Sequence, residues 1–142
     1  MHSALLLGTG LLVASLLSFS VAIALVVSLM SRVIRSGHSG ESFWKSVAIM
    51  IVITLVMAAA HLAEIVLWAI AFRASSEIST FEKAFYFSTQ NYTTLGYGDI
   101  VLSDRWRLLG PLEAINGLLL FGLSTAAMFA ALGRLVSGRL HS

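Results

Sequence analysis

Thr93-Thr94-Leu95-Gly96-Tyr97-Gly98-Asp99 is the stretch on which the reading of the whole chain turns. It follows a short segment, Ser79 to Tyr92, that is too short and too polar to cross a membrane, and precedes a long apolar one, Leu112 to Val136. Ser79 with Glu82 three residues later forms a capping-box pattern, and Phe81, Ala84, Phe85 and Ser88 recur at helical spacing, so a helix is expected over 79–92. About 13 residues at 1.5 Å each reach roughly 20 Å, enough to enter a bilayer and not to leave it. A re-entrant helix is therefore expected, followed by a loop at membrane depth, which survives only where protein or trapped water satisfies its backbone.

Farther out, two more apolar stretches appear. Ala4 to Met30 carries no charge, and Val47 to Phe72 is interrupted by His61 and Glu64. With Leu112 to Val136, which holds Glu113 and Arg134 near its ends, each exceeds the roughly 20 residues a spanning helix needs. The first stretch lacks a basic n-region and is too long for a signal-peptide core, so a retained helix is expected. Composition agrees: 58% of the 142 residues are hydrophobic and 11% charged, too apolar for a soluble domain of this size. Without cysteine, disulfides, thiolate metal sites and cysteine nucleophiles are excluded. The net charge of +2 comes with no basic stripe and interleaved aromatics, so no nucleic-acid partner is expected.

Arg32, Arg35 and Lys45 in the first loop, with Arg134 and Arg139, number five basic residues against four (Arg73, Lys83, Arg105, Arg107) in the acid-rich region from Arg73 to Glu113. That balance places the first loop and the C-terminus inside and the N-terminus outside. The expected location is the cell (plasma or inner) membrane, crossed several times, with the C-terminus cytoplasmic. Trp44 and Trp68 stand where interface anchors tend to sit.

A potassium ion entering a narrow pore sheds its water, and inward-pointing backbone carbonyls can replace those oxygens. The geometry is strained and favours glycine. Carbonyls of Thr94, Leu95, Gly96 and Tyr97 are expected to bind K+, the Thr94 hydroxyl adding a ring of oxygens. Tyr97 is expected to brace the stretch against Tyr86, Phe87 and Tyr92.

These residues resemble the filter signature of the potassium-channel pore family, whose usual form is Thr-Val-Gly-Tyr-Gly-Asp. The resemblance extends upstream through Ala84-Phe85-Tyr86-Phe87-Ser88 and downstream to Gly117 and Phe121-Gly122-Leu123-Ser124-Thr125-Ala126-Ala127, covering roughly residues 47 to 136. It implies an all-α membrane protein: three transmembrane helices plus a re-entrant pore helix and filter loop, assembled as a homotetramer around a central pore. Residues 1–35 are then a peripheral N-terminal transmembrane helix and connector, and 36–142 the pore domain, with outer helix 47–72, pore helix 79–92, filter 94–98 and inner helix 112–136. Thr93, Asp99, Gln90, Tyr86 and Glu82 would support the filter, and Gly117 stands at the family's hinge position. Leu95 replaces the usual Val on a side chain that faces away from the ions, so selectivity is expected to survive. Gln90 stands where some relatives carry Glu, and Ile100-Val101-Leu102-Ser103 lacks the family's proline.

The expected function is potassium-selective conduction, with a weakly selective cation channel or a non-conducting accessory subunit as alternatives. No enzyme motif is present, and no cofactor is expected apart from K+ as permeant ion. His61 and Glu64, on one face of the second span, form a proton-sensitive gate, a structural hydrogen-bonding pair (to Ser15, Ser18 or Asn116), or a metal site. Gly117 and Gly122 are hinges or close-packing positions. Glu82 and Glu113 are expected near the outer surface as solvated carboxylates. The loop Arg35 to Ser42 (Gly37, His38, Gly40) is expected to be a connector. No span carries the arginine repeat of a voltage sensor, and about six residues follow Val136. Gating is thus left to protons, lipid or tension, or to an unidentified regulatory partner, or the pore leaks.

Overall fold

Apolar runs lack any way to satisfy their backbone in lipid except by closing it on itself, and the chain forms three such helices and a shorter, more polar fourth. The computed structural model describes residues 2–35 and 43–140. The elements are α1 (His2–Arg35), α2 (Phe43–Ala74), α3 (Phe81–Tyr92) and α4 (Leu109–Leu140), with no strand among the described residues. Stretches His2–Val33, Phe43–Ala74 and Leu109–Ser137 are long and apolar enough to cross a membrane. The connector expected after Arg35, with Gly37, His38 and Gly40, lies outside the described residues.

The helix ends follow local chemistry. Pro111 sits in the first turn of α4, where its missing N–H has no intrahelical partner to lose. At α3 the cap is Thr80 and not Ser79: the Thr80 hydroxyl accepts from the Lys83 N–H at 3.3 Å, one register later than the Ser79/Glu82 box predicts. Glu82 thus lies free of a reciprocal cap and is exposed in the first turn, where its charge suits the helix dipole. Beyond α2, the Arg73 guanidinium donates to the carbonyls of Ser79 and Ile78. Farther on, Glu77 accepts from the Ser103 N–H and hydroxyl, both at 2.8 Å, tying the turn before α3 to the segment before α4.

Two apolar clusters hold the helices together. One joins Phe19, Val26 and Met30 of α1 to Ile53, Met57 and Ile65 of α2, and to Leu120, Ala131 and Leu135 of α4. The other gathers Ala4, Trp68, Phe72, Ala84, Phe87 and Leu109 at the opposite end. Within the chain, α1 lies along both α2 and α4. Trp68 is fully buried and donates its indole N–H to Ser15 Oγ at 3.3 Å, so it pins α1 to α2 and is no interface anchor; Trp44 is exposed.

Candidate functional site

Residues 93–99 run directly off the C-terminal end of α3 and are exposed along their whole length. Their shape is set by the backbone of Gln90 and Asn91. The Thr94 N–H donates to the Asn91 carbonyl at 2.9 Å. The Leu95 and Gly96 N–H groups both donate to the Gln90 carbonyl, at 2.8 and 3.2 Å. The Tyr97 N–H donates to Gln90 Oε1 at 3.1 Å. In a trans peptide the C=O points opposite the N–H that follows it, and no cis bond is present among the described residues. Turning these four N–H groups toward α3 therefore turns the carbonyls of Thr93, Thr94, Leu95 and Gly96 away from it, to the exposed side.

That arrangement demands an alternating backbone. Thr94, Gly96 and Gly98 have φ of 60°, 52° and 75°, while Leu95 and Tyr97 stay in the ordinary negative range. Glycine takes the left-handed conformation without penalty, which explains positions 96 and 98. Thr94 adopts it despite its branched side chain, an uncommon conformation for such a residue. Its position is over-determined by hydrogen bonds on both sides, with Thr93 held by its hydroxyl to the Thr89 carbonyl at 2.7 Å.

Gln90 does three things at once. Its backbone carbonyl takes two amides, its Oε1 a third, and its Nε2 donates to Asp99 Oδ1 at 3.1 Å. The Gln90 amide, and after it the Tyr86 hydroxyl, hold the Asp99 carboxyl below the usual carboxylate range. Of the aromatics expected to brace Tyr97, Phe87 and Tyr92 face the other way. Phe87 packs edge-on against Phe72 (4.9 Å between centroids) and Tyr92 is buried beside His61. Tyr86, exposed and hydrogen-bonded to Asp99, is on the same side as the 93–99 stretch. Glu82 stands at the far end of α3.

Behind α3 lies a polar layer that the sequence reading located only in part. His61 Nδ1 lies 2.7 Å from the Tyr92 hydroxyl and Nε2 3.2 Å from Ser124 Oγ, with its ring stacked on Phe121 at 4.4 Å. Glu64 meets the Ser18 hydroxyl at 2.5 Å, one of the partners expected for it. Asn116 does not join them; neither end of its buried side chain has a hydrogen bond. Glu113 is fully buried against Ser88 at 2.5 Å, whereas the sequence suggested a solvated carboxylate. The signal that could have found it was the pair Glu113 and Asn116, three apart in an apolar span and hence on the same side as Leu120. Among the described residues, no group of three His, Asp or Glu side chains is arranged to hold a metal ion.

Gly117 packs against the end of α3: a Cβ there would fall 2.0 Å from the Tyr92 carbonyl oxygen. A backbone atom cannot swing aside, so the missing side chain is what lets α4 approach α3. Gly122 faces open space.

A protein-family profile described as "Ion channel" matches residues 49–134, from within α2 through the 93–99 stretch to near the end of α4. No curated protein and no solved structure matches the chain significantly.

Proposed function

Since the chain belongs to the ion-channel family, with a pore domain of the two-span potassium-channel type, we propose that it conducts K+ selectively and passively across a membrane. The observation that carries this reading is the common direction of the carbonyls of Thr94, Leu95 and Gly96, all turned from α3 because the following amides are tied to Gln90. With Tyr97 they supply the stacked oxygens that replace the hydration shell of the ion. In this reading α3 is the re-entrant pore helix and 94–98 the filter. The partly negative C-terminal end of α3 favours a cation nearby.

One such strand cannot enclose an ion, and four around an axis can, so the working unit is a homotetramer with cyclic symmetry. Supporting this, Leu95 and Tyr97 of the filter and Leu118, Leu119, Phe129 and Val136 of α4 are all exposed on the single chain. Those residues supply surface for neighbouring subunits and for the pore wall. Charge distribution orients the channel in the cell membrane with its N-terminus outside and its C-terminus cytoplasmic. No cofactor is required by the mechanism, and K+ is the permeant ion.

Reversal potential tests the proposal, measured in planar bilayers with purified protein between potassium and sodium solutions. Reversal close to the potassium equilibrium potential is the expected result. Clear current reversing near zero would replace it with a weakly selective cation channel. Silence at every pH would make the chain a non-conducting accessory subunit or one that awaits a regulatory partner.

A further inference from the structure

We infer that Glu113 is held as a neutral carboxylic acid and that, acting through Ser88, it is a positioning residue whose proton keeps α3 seated for conduction. Only the last clause rests on the channel reading.

The assignment follows from counting hydrogens. Ser88 Oγ lies 2.8 Å from the Ile65 carbonyl oxygen and 2.5 Å from Glu113 Oε1. A hydroxyl has one hydrogen to give, and a backbone carbonyl has none. Two oxygens at 2.8 Å with no hydrogen between them repel, so the Ser88 hydrogen belongs to Ile65. The short contact to Glu113 must then be supplied by a hydrogen on the carboxyl. The same arrangement recurs at Ser18, whose Oγ lies 3.0 Å from the Ser15 carbonyl and 2.5 Å from Glu64 Oε1. It recurs once more at Ser124, 3.0 Å from the Phe121 carbonyl and 3.2 Å from His61 Nε2. There the Ser124 hydrogen goes to Phe121, so Nε2 carries the imidazole hydrogen and Nδ1 accepts from the Tyr92 hydroxyl at 2.7 Å. A single set of donors closes the Glu113 and His61 bridges with the acid and the imidazole neutral.

The surroundings require the same answer. The groups turned toward this layer are Ser88 and Tyr92 from α3, His61 and Glu64 from α2, Asn116 and Ser124 from α4, and Ser15 and Ser18 from α1, which also brings Gly8 against Leu112. None of these is a Lys or Arg. Glu113 Oε2 makes no hydrogen bond, which the C=O of an acid tolerates and an unpaired buried carboxylate does not.

Function enters through position. Ser88 precedes Gln90 by two residues on α3, and Gln90 holds the amides of residues 95–97. Loss of the Glu113 proton turns a bridging hydrogen bond into an oxygen–oxygen contact and places a negative charge beside a helix whose nearer end is already partly negative. The neutral acid thus supports the filter at low and neutral pH, and that support is lost as pH rises.

The test compares the full-length protein with Glu113→Gln, whose amide can still donate to Ser88, by infrared spectroscopy and by K+ flux and thermal unfolding across pH. At neutral pH, E113Q is expected to lose one protonated-carboxyl C=O band. Flux and Tm of the parent should fall at alkaline pH, and that alkaline limb should be absent in E113Q. Ser88→Ala should shift the same band without removing it, which decides the point if E113Q fails to assemble. Loss of an ionised-carboxylate band in E113Q, or an unmoved band in S88A, would overturn the neutral acid. Identical alkaline limbs in parent and E113Q would overturn the positioning role. If the parent passes no K+ at all, the channel reading fails instead, while the infrared bands and the pH dependence of Tm still decide the role of Glu113.

Discussion

The two sides of α3 solve opposite problems. On the side that carries the exposed 93–99 stretch, buried Gln90 and half-buried Asn91 gather the N–H groups of residues 94–97, and the carbonyls of Thr94, Leu95 and Gly96 are left facing outward. On its buried side, Ser88 and Tyr92 meet Ile65, Glu113 and His61 in a layer that seals most of its polar atoms against one another. The exposed side keeps acceptors unpaired within the chain, which under the proposed function are left for the permeant ion. The buried side must pair its groups because neither lipid nor core supplies partners. The same 12-residue helix is thus a scaffold for a strained backbone on one face and a polar core element on the other.

If the exposed side depends on backbone conformation, the largest effect belongs to its glycines. Gly96→Ala and Gly98→Ala each force an L-residue into the left-handed region, at roughly 1–2 kcal/mol, with no neighbour in the chain that clashes. Both variants should still insert and yet lose K+ conduction. Normal potassium flux in either would break the assignment of 94–98 as the filter.

Next comes the seam between the two sides. Gly117→Ala drives a Cβ to 2.0 Å from the Tyr92 carbonyl oxygen, backbone against backbone. We expect it to destabilise the protein by about 1–3 kcal/mol, the usual range for overpacking, seen as a lower Tm in detergent. Gly122→Ala, in open space, should leave Tm unchanged. Equal Tm for G117A and the parent, together with an altered open probability, would return Gly117 to the hinge role that the family resemblance implies.

The asymmetry also explains what was legible in the sequence. Three apolar runs, the short polar segment and Gly96-Tyr97-Gly98 between them specify the helices and the site, because length and glycine spacing are properties of the sequence itself. Gln90 and Asp99 were legible as filter support through the family resemblance, which places both beside the Gly96-Tyr97-Gly98 run. Glu113 was not, because a carboxylate near the end of a span reads as solvated until α2 and α3 are seen to close over it. Trp68 misled in the same way: a tryptophan near a helix end suggests an interface, and its burial depends on α1 being there to cover it. Each miss involves a partner distant in sequence.

A smaller effect is expected where the exposed side relies on one side chain. Gln90→Ala removes the acceptor for the Tyr97 N–H and the donor to Asp99, so the potassium-to-sodium permeability ratio should fall. The sign of its pH dependence is fixed. Asp99 is held below the usual carboxylate range chiefly by the Gln90 amide, and a group depressed in this way contributes above its ordinary range and loses its contribution as pH falls. Without Gln90 the carboxyl takes up its proton at higher pH. The acid limb of the conduction profile should therefore move to higher pH in Q90A, and coincident acid limbs would remove Asp99 from filter support.

The buried side is tested most finely at His61, where the proton-gate and structural readings part. His61→Ala leaves the Tyr92 hydroxyl without its Nδ1 partner and Ser124 without Nε2, and orphaning a buried polar group costs about 1–3 kcal/mol. A lower Tm is common to both readings and does not separate them. The pH profile does. If the imidazole gates by taking up a proton, H61A changes the pH dependence of opening. If it serves as a neutral bridge between Tyr92 and Ser124, H61A lowers stability and leaves the pH profile superimposable on the parent. The bridge geometry favours the second outcome, because a protonated ring would donate from both nitrogens. The Tyr92 hydroxyl would then have to accept at 2.7 Å and find another acceptor for its own hydrogen, and among the described residues no hydrogen bond to such an acceptor is seen. A shifted pH profile in H61A would therefore contradict the neutral bridge directly and restore the proton gate.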